Sequence, residues 1–302
     1  KIIKKFLRVM VSVSIVIPFF GKVQDLVPLI KSLNKLNTKN IKVQTIIIDD
    51  NSKEKFNIIK KLSKFKIKLL FNKKNYGPAY SRNLGVKNSK SDFIWFLDHD
   101  VTLTNINFLQ IGIKLIGINK YDAISGAKEM INNYPTTLLP RIFPNFLSLY
   151  KIINNKKFIF ERSQPDGCSI FLKKEVFLKK GFFNHKLRAY EEYEWSLRKF
   201  KLKILFRNDL MVVHKEKNMH QASFLIKYYE NVINARIEVL KAHSPFRKKI
   251  LFFIDTIFLP TMLFLLHVNK SHISSRYLAY GHIKNFGQLI KIFFLLFKSY
   301  FR

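Results

Sequence analysis

The sequence contains a single cysteine, Cys168. One cysteine cannot form a disulfide within its own chain, so a fold that depends on disulfide cross-links is excluded, and the composition is typical of a reducing compartment. No arrangement of histidines in the sequence indicates that Cys168 is a nucleophile. We therefore expect it to be a small buried residue.

Acidic residues are also scarce, because 20 Asp and Glu stand against 54 Lys and Arg and the formal net charge is +34. A surface this basic attracts nucleic acids, anionic lipid head groups or phosphorylated substrates. The chain is also rich in Lys, Asn, Ile and Phe together, as AT-rich coding would produce. That bias would make the surface basic without specifying a partner, so the charge alone leaves these alternatives open.

Long uninterrupted apolar runs are few. The run Ile250–Leu266 contains Asp255 and Pro260, and it is at the lower limit of length for crossing a bilayer. A second apolar stretch occupies residues 288–301, and basic residues flank both. This pattern is typical of helices that lie in the interface of an anionic membrane, although a spanning helix or a packed helical cap would also fit. We therefore predict a main domain of residues 1–243 and a helical, membrane-associating segment of residues 244–302.

The first half of the chain alternates strands with helices. Runs of apolar and β-branched residues predict strands at 12–17, 43–48, 67–71 and 93–97, with apolar residues at helical spacing between them. Pro78 stands where the helix before the last of these strands would begin, a position that its fixed φ suits. The first run stops at Pro18, which favours a strand over a signal peptide. Such alternation predicts an α/β fold with a mostly parallel sheet flanked by helices. Ligands of such sheets bind beyond the carboxyl ends of the strands.

Paired acids follow two of these strands. The strand at 93–97 ends in Asp98-His99-Asp100, and the strand at 43–48 ends in Asp49-Asp50. Carboxylates rarely stay unpaired in a core, and oxygen ligands select hard cations such as Mg2+ or Mn2+. A site for a divalent cation with a diphosphate is one interpretation, and a loop in which one acid caps the next helix is the other.

The second half of the sequence is less regular. Residues 129–165 show no clear periodicity, and they are followed by a turn sequence, DGCS, at 166–169. An acidic patch of Glu191, Glu192 and Glu194 follows in this otherwise basic chain. Acids at a helix start complement the helix dipole, so this patch alone does not establish a function. His214 ends a short predicted strand, and a lone histidine is more often structural than a ligand.

Six segments, in this order and spacing, resemble family 2 glycosyltransferases of the GT-A fold. They are VSVSIVIPFF at the start, IIIDDNS at 46–52, NYGPAYSRNLGV at 75–86, FIWFLDHDV at 93–101, DGCSIFL at 166–172, and GFF with YEEYEWSLR at 182–198. The resemblance covers residues 12–215. It implies that the main domain is a GT-A catalytic domain with a Rossmann-like, mostly parallel sheet.

The resemblance also implies residues that bind the nucleotide of the donor. Asp50 would bind the edge of the base, Asp49 would support the adjacent turn, and the backbone near Pro18 and Phe19 would line the base pocket. Arg82 would lie near the nucleotide and orient the acidic site.

Metal ligands and a general base are implied in the same way. Asp98 and Asp100 match the DxD motif of the family, with Asp100 as the direct metal ligand and Asp98 directed to the ribose or the metal. Glu192 aligns with the usual general base, although the acidic pair reads Glu-Glu here, so the choice between Glu191 and Glu192 stays open. His214 corresponds to a third metal ligand of some relatives.

The resemblance therefore implies an inverting hexosyltransferase that depends on Mn2+ or Mg2+ and uses a nucleotide-sugar donor, with a UDP-sugar expected. We expect the acceptor to be a lipid-linked or cell-envelope glycan and the enzyme to lie on the cytoplasmic face of the cell membrane. A non-catalytic basic protein that binds nucleotides or nucleic acid, a related nucleotidyltransferase and an inactive family relative are the alternatives. The sequence has no recognised nucleic-acid-binding motif, so no specific nucleic acid is expected as a partner.

Overall fold

The computed structural model describes residues 10–126, 159–162 and 164–214, together with residue 231. These residues fall into two compact units. The larger unit contains the described residues of Lys1–His185 and Glu192–Lys215, and Lys186–Glu191 belong to the smaller one. The predicted domain boundary at 243–244 and the apolar segment beyond it lie outside the described residues, so both stay predictions.

The described part contains ten strands. In chain order they are β1 (Val11–Phe19), β2 (Ile41–Asp49), β3 (Lys66–Phe71), β4 (Phe93–Leu97), β5 (Val101–Leu103), β6 (Ala123–Ser125), β7 (Ile159–Arg162), β8 (Ser169–Lys173), β9 (Ile204–Arg207) and β10 (Val212–His214). Eight of them form one sheet in the order β3-β2-β1-β4-β8-β6-β9-β7, and β5 pairs with β10 separately.

The main sheet is mostly parallel. β3, β2, β1 and β4 are paired in parallel, and β6 and β9 are also parallel to each other. β8 runs antiparallel to both β4 and β6, and β7 runs antiparallel to β9. Six of these eight described strands therefore point in one direction, and the predicted α/β fold with a mostly parallel sheet is confirmed.

Six α-helices are described alongside the strands. They are α1 (Val27–Leu33), α2 (Asn57–Leu62), α3 (Pro78–Lys87), α4 (Phe108–Gly117), α5 (Lys174–Lys180) and α6 (Glu191–Leu197). α3 begins at Pro78, as the sequence predicts, because the fixed φ of proline suits the first turn of a helix.

The sheet is buried on both faces, which explains why its strands are continuously apolar. On one face Trp95 stacks on Phe108 of α4, with ring centroids 4.0 Å apart. On the other face Phe96 packs against Phe177 of α5. α3 lies so close to the sheet that a Cβ built on Gly85 would be 2.3 Å from Cγ1 of Val16, so the helix packs here only because this position is glycine.

Three features of the described region differ from the sequence-based expectations. β1 does not stop before Pro18 but runs to Phe19, because its pairing with β2 continues to Asp49. The sequence indicates only a loop after Asp100, but Val101–Leu103 is a strand, because it finds a partner in Val212–His214 more than a hundred residues later. Helix α5 was also not predicted. Among the described residues, no helix has the length and apolar character that crossing a membrane requires.

Candidate active site

The carboxyl end of β2 is a hydrogen-bonded turn built on Asp49. Its Oδ1 accepts hydrogen bonds from the backbone N–H of Ser52, at 2.9 Å, and from the Ser52 hydroxyl, at 2.5 Å. This arrangement holds Asn51 at a φ of 71°, a left-handed conformation that asparagine tolerates better than most residues. Asp49 thus fixes the turn beside Asp50, and its place in a nucleotide site stays a prediction.

Asp50 organises the loop before α3. One carboxylate oxygen accepts hydrogen bonds from Asn72 Nδ2, at 2.7 Å, and from the Tyr76 N–H, at 2.9 Å. The other oxygen accepts the Gly77 N–H at 2.7 Å. Asp50 is 3% exposed. The carboxylate therefore fixes the loop that leads into α3, and its predicted contact with a nucleotide base stays a prediction.

The end of β1 contributes backbone rather than side chains to this edge. The Phe19 carbonyl accepts the Asp50 N–H at 2.8 Å. The Phe19 ring is buried and makes edge-to-face contacts with Phe56 and with His99, at centroid distances of 5.4 and 5.3 Å. Pro18, the residue before it, is buried as well. The base pocket expected near Pro18 and Phe19 stays a prediction. These two residues would line such a pocket with their backbone atoms.

Arg82 connects α3 to the DxD motif. Its guanidinium Nη2 lies 2.5 Å from Oδ1 of Asp98, and the same nitrogen donates to the Gly167 carbonyl at 3.2 Å. Arg82 is buried, whereas about a quarter of the Asp98 side chain is exposed. One guanidinium therefore holds both Asp98 and the turn at 166–169, and the role of Arg82 near a nucleotide stays a prediction.

Asp100 and His214 are brought together by the two-stranded pair. β5 and β10 pair with Val101 opposite His214, and His214 Nε2 lies 3.2 Å from Oδ1 of Asp100. Burial alone would raise the pKa of Asp100, but the hydrogen bond from His214 and the charges of His99 and His214 outweigh it, so the pKa lies below its ordinary value. Asp100 is thus held as a carboxylate, the form that binds a cation.

His214 also belongs to a second group of possible metal ligands, which contains oxygen, sulfur and nitrogen atoms. One ligand atom each of Asp98, Cys168 and His214 lie within 4.8 Å of one another. On a divalent ion with bonds of about 2.1 Å, adjacent ligands lie about 3 Å apart, which the separation of Asp100 and His214 matches. Burial, and then the charges of Asp166 and Asp98, raise the pKa of the Cys168 thiol well above its ordinary value. The carboxylates of Asp98 and Asp100 and the imidazole of His214 are the groups whose spacing fits a divalent ion.

The turn at 166–169 supports this set. Ser125 accepts the Asp166 N–H at 2.8 Å through its hydroxyl and donates to the Ser169 carbonyl at 2.6 Å. On the other side, the Asp98 N–H donates to the Cys168 carbonyl at 3.1 Å. The sequence predicts only that Cys168 is a small buried residue. The structure shows it partly buried, with its sulfur near Asp98 and His214.

Glu192 lies beside the same turn. A Cβ built on Gly167 would be 3.2 Å from the carboxyl carbon of Glu192 and 3.3 Å from each of its oxygens, so the carboxylate lies flat against this glycine. Glu194 is instead committed to a structural ion pair with Arg198, four residues further along the chain. Glu191 begins α6 but belongs to the smaller compact unit. Of the three acids, Glu192 is the one that the larger unit holds beside the turn.

Lys180 supports the helix that carries Glu192. Its buried ammonium donates to the carbonyls of Ser196, Arg198 and Phe200, at and just beyond the end of α6, and the Ser196 and Phe200 contacts are 3.0 and 2.7 Å long. Carbonyls at a helix terminus have no partners within the helix. Burial and the nearby charge of Arg198 lower the pKa of Lys180 to about 8. No local pattern in the sequence signals this contact.

Comparison with protein families identifies a match over residues 14–177 to the family model "Glycosyl transferase family 2". An uncharacterized glycosyltransferase of Haemophilus influenzae is 30% identical over 200 residues, which are 61% of this chain and 60% of that protein. The chain thus spans less than two thirds of the length of this relative.

Solved structures share the fold. The mannosyltransferase PcManGT of Pyrobaculum calidifontis, in complex with GDP-Man and Mn2+, superposes with a TM-score of 0.58 at 12% identity, over 91% of this chain and 80% of that one. Residues 1–349 of Staphylococcus aureus TarS, in complex with UDP-GlcNAc, give a TM-score of 0.56 at 16% identity, over 94% and 81%. At these identities the similarity establishes the fold.

Proposed function

The chain belongs to glycosyl transferase family 2, and from this we propose that it catalyses a metal-dependent, inverting transfer of a sugar from a nucleotide-sugar to a glycan acceptor. One observation carries the proposal. The carboxylates of the DxD motif and the imidazole of His214 lie near Cys168. The carboxylate of Glu192 lies against Gly167, which directly precedes Cys168 in the chain. This arrangement gives one group of ligands for the cation that would stabilise a leaving diphosphate. It also gives one general base for the hydroxyl group of an acceptor.

The donor would bind along the carboxyl ends of β1, β2 and β4. The turn at Asp49 and the loop fixed by Asp50 form this edge, next to the Phe19 backbone. Two proteins of the same fold hold GDP-Man and UDP-GlcNAc. Both are nucleoside diphosphate sugars, and they support this class of donor here. We propose a UDP-sugar, with Asp50 as the residue nearest the base.

Asp100 and His214 would hold a divalent cation, Mn2+ or Mg2+, with Asp98 as a further ligand or a ribose contact. Such an ion, when bound, stabilises negative charge that develops on a leaving diphosphate. Arg82 orients Asp98 through its guanidinium contact.

Glu192 would act as the general base. As the acceptor hydroxyl oxygen attacks the anomeric carbon, its proton passes to the Glu192 carboxylate and the bond from that carbon to the diphosphate oxygen breaks. A single displacement inverts the configuration at the anomeric carbon. The Glu192 carboxylate can lie this close to the turn because Gly167 has no side chain to fill the space.

The substitution Glu192→Gln tests this assignment, because it removes the base but keeps the size of the side chain. We expect transfer to fall at least about a hundredfold, in line with the usual contribution of a general base, while the Kd for the donor stays nearly unchanged. Glu175→Gln is the matched control, since Glu175 lies on α5 with a side chain that is 76% exposed. Equal loss of donor binding and transfer in the Glu192 variant would refute the general-base role.

We also propose that the acceptor is a lipid-linked or cell-envelope glycan and that the enzyme is attached to the cytoplasmic face of the membrane. The net charge of +34 supports a contact with anionic lipid. Washing membranes with salt and then carbonate tests the attachment. Retention until detergent is added would support it, and full recovery in the first salt wash at physiological ionic strength would oppose it.

A further inference from the structure

Cys168 is the unexplained member of the ligand cluster, since the proposed reaction has no use for a thiol. Its sulfur lies within 4.8 Å of ligand atoms of both Asp98 and His214. It is the only cysteine of the chain. A cluster that contains sulfur, nitrogen and oxygen is not the set that a magnesium site requires, because Mg2+ prefers oxygen ligands almost exclusively.

The three groups are held by paired backbone. β4 and β8 pair with Leu97 opposite Ser169, and the Asp98 N–H then bonds to the Cys168 carbonyl at 3.1 Å. His214 is fixed by the register of β10 on β5. A metal site whose ligands rest on such elements needs little rearrangement when an ion binds.

We propose that Asp98, Cys168 and His214 form a binding site for a thiophilic divalent ion such as Zn2+ or Co2+, and that this site shares its ligands with the oxygen-rich site for Mn2+ or Mg2+. Zn2+ takes Cys, His and Asp together in a tetrahedral arrangement, with bonds of about 2.0–2.3 Å. The thiol proton leaves to solvent as the sulfur–metal bond forms. Because Zn2+ and Co2+ bind such ligands more tightly than Mn2+ does, a thiophilic ion would displace the ion that supports transfer.

Cobalt makes this site visible without any assay of activity. A Co2+–thiolate bond absorbs in the near ultraviolet, and because the chain has one cysteine, any such band comes from Cys168. We expect the band to saturate at one Co2+ per chain and to disappear when Zn2+ is added. We also expect excess Mn2+ to weaken it, since the two sites share ligands.

Three variants separate the site from an isolated reactive thiol. In Cys168→Ser the band should be absent. The affinity for Zn2+ should fall by more than about 100-fold, because loss of an outer-shell partner costs up to about that much and Cys168 is proposed to be a direct ligand. In His214→Ala the band should also be lost or much weakened. His185→Ala is the control, because His185 contacts the ring of Tyr80 and is not part of the cluster, so its band should equal that of the unmodified chain.

These measurements follow metal binding, so they test the site without any assay of sugar transfer. No band in a folded chain at saturating Co2+, or a band that His214→Ala leaves unchanged, would overturn the thiolate site. A Co2+ titration whose midpoint stays at the same Co2+ concentration when excess Mn2+ is present would overturn the sharing of ligands. The inference rests on the proposed function only for the displaced ion, and the proposed function fails separately, by the Glu192→Gln measurement.

Discussion

His214 Nε2 lies 3.2 Å from Oδ1 of Asp100, although the two residues are far apart in the sequence. The contact follows from one antiparallel pairing, in which His214 is opposite Val101, the residue after Asp100. The second acid of the DxD motif therefore lies directly before a strand, with an imidazole beside it.

Replacement of His214 tests whether this contact serves a cation. We expect His214→Ala to weaken Mn2+ binding by about 10–100-fold or more, because a direct ligand contributes at least as much as an outer-shell one. Titration of Mn2+, followed by electron paramagnetic resonance, measures the change. His185→Ala should leave the Kd for Mn2+ unchanged, and an unchanged Kd in His214→Ala would show that His214 only supports Asp100.

Arg82 should be difficult to replace by another cation. Its Nη2 contacts both Asp98 and the Gly167 carbonyl, and the ammonium of a lysine, on a stem of different length and shape, would not lie at the same point. Arg82→Met should lower the free energy of unfolding by about 2–4 kcal/mol, somewhat below the usual loss for a buried pair because Asp98 is partly exposed. Urea denaturation measures this, and we expect Arg82→Lys to recover stability only in part. Full recovery by lysine would show that the position of the arginine nitrogen is not what Asp98 and the turn require.

Gly167 should control the position of the Glu192 carboxylate. A methyl group at this position would lie 3.2 Å from the carboxyl carbon, so Gly167→Ala must move the carboxylate by a few tenths of an ångström. We expect kcat to fall by about tenfold to a hundredfold, because small misplacements of a reacting group are costly, with the KM for the donor nearly constant.

Two measurements separate this effect from misfolding. The melting temperature of the Gly167→Ala variant should change little, because the turn itself is fixed by Ser125. In the double variant with Glu192→Gln, the alanine should cause no further loss of kcat. An additive loss would mean that Gly167 acts through something other than Glu192.

Lys180 should stabilise α6 in a pH-dependent manner. Lys180→Met removes the donor to three carbonyls, and we expect a loss of about 2–4 kcal/mol of unfolding free energy. The pKa of Lys180 is about 8 in the folded chain, below the ordinary value of 10.5. At pH values between these two, Lys180 therefore binds a proton more often in the unfolded chain than in the folded chain. The stability advantage of the lysine chain over the Lys180→Met variant should therefore grow as pH rises from about 8 to 10.5.

Thermal unfolding of both chains across this pH range measures the trend for Lys180. Lys179→Met is a suitable control, because Lys179 lies next to it on α5 and contacts the ring of Phe200. If the stability advantage over the Lys180→Met variant shrank with rising pH, the pKa of Lys180 in the folded chain would lie above its ordinary value. The three carbonyls would then stabilise the ammonium by more than burial destabilises it.

The sequence was sufficient for the parts of the fold that depend on local pattern. The apolar run Phe93–Leu97 matches β4 residue for residue, since a strand buried on both faces has no polar interruption. Pro78 likewise marked the start of α3. The acids at 49–50 and 98–100 followed strands, so their common edge could be inferred from the parallel order.

Other parts of the site depend on pairings between distant segments. His214 could be assigned only through the resemblance, because no local pattern indicates that β10 pairs with β5. The orientation of Cys168 depends on the pairing of β4 with β8, and the contact of Lys180 with the end of α6 depends on tertiary packing. In each case the residue type is ordinary for its local sequence, and the neighbour that gives it a role is far away along the chain.

The position of β4 between β1 and β8 also has a consequence for the order of folding. β1 to β4 are connected by short segments, whereas Leu97 and Ser169, which face each other across β4 and β8, are about 70 residues apart. Contacts that close long loops form slowly. The edge formed by the carboxyl ends of β1 and β2 should therefore assemble first during refolding, and Asp98, Cys168 and Glu192 should come together only in the last phase. If the proposed function holds, a chain arrested before that phase would bind the nucleotide of the donor but would not transfer its sugar.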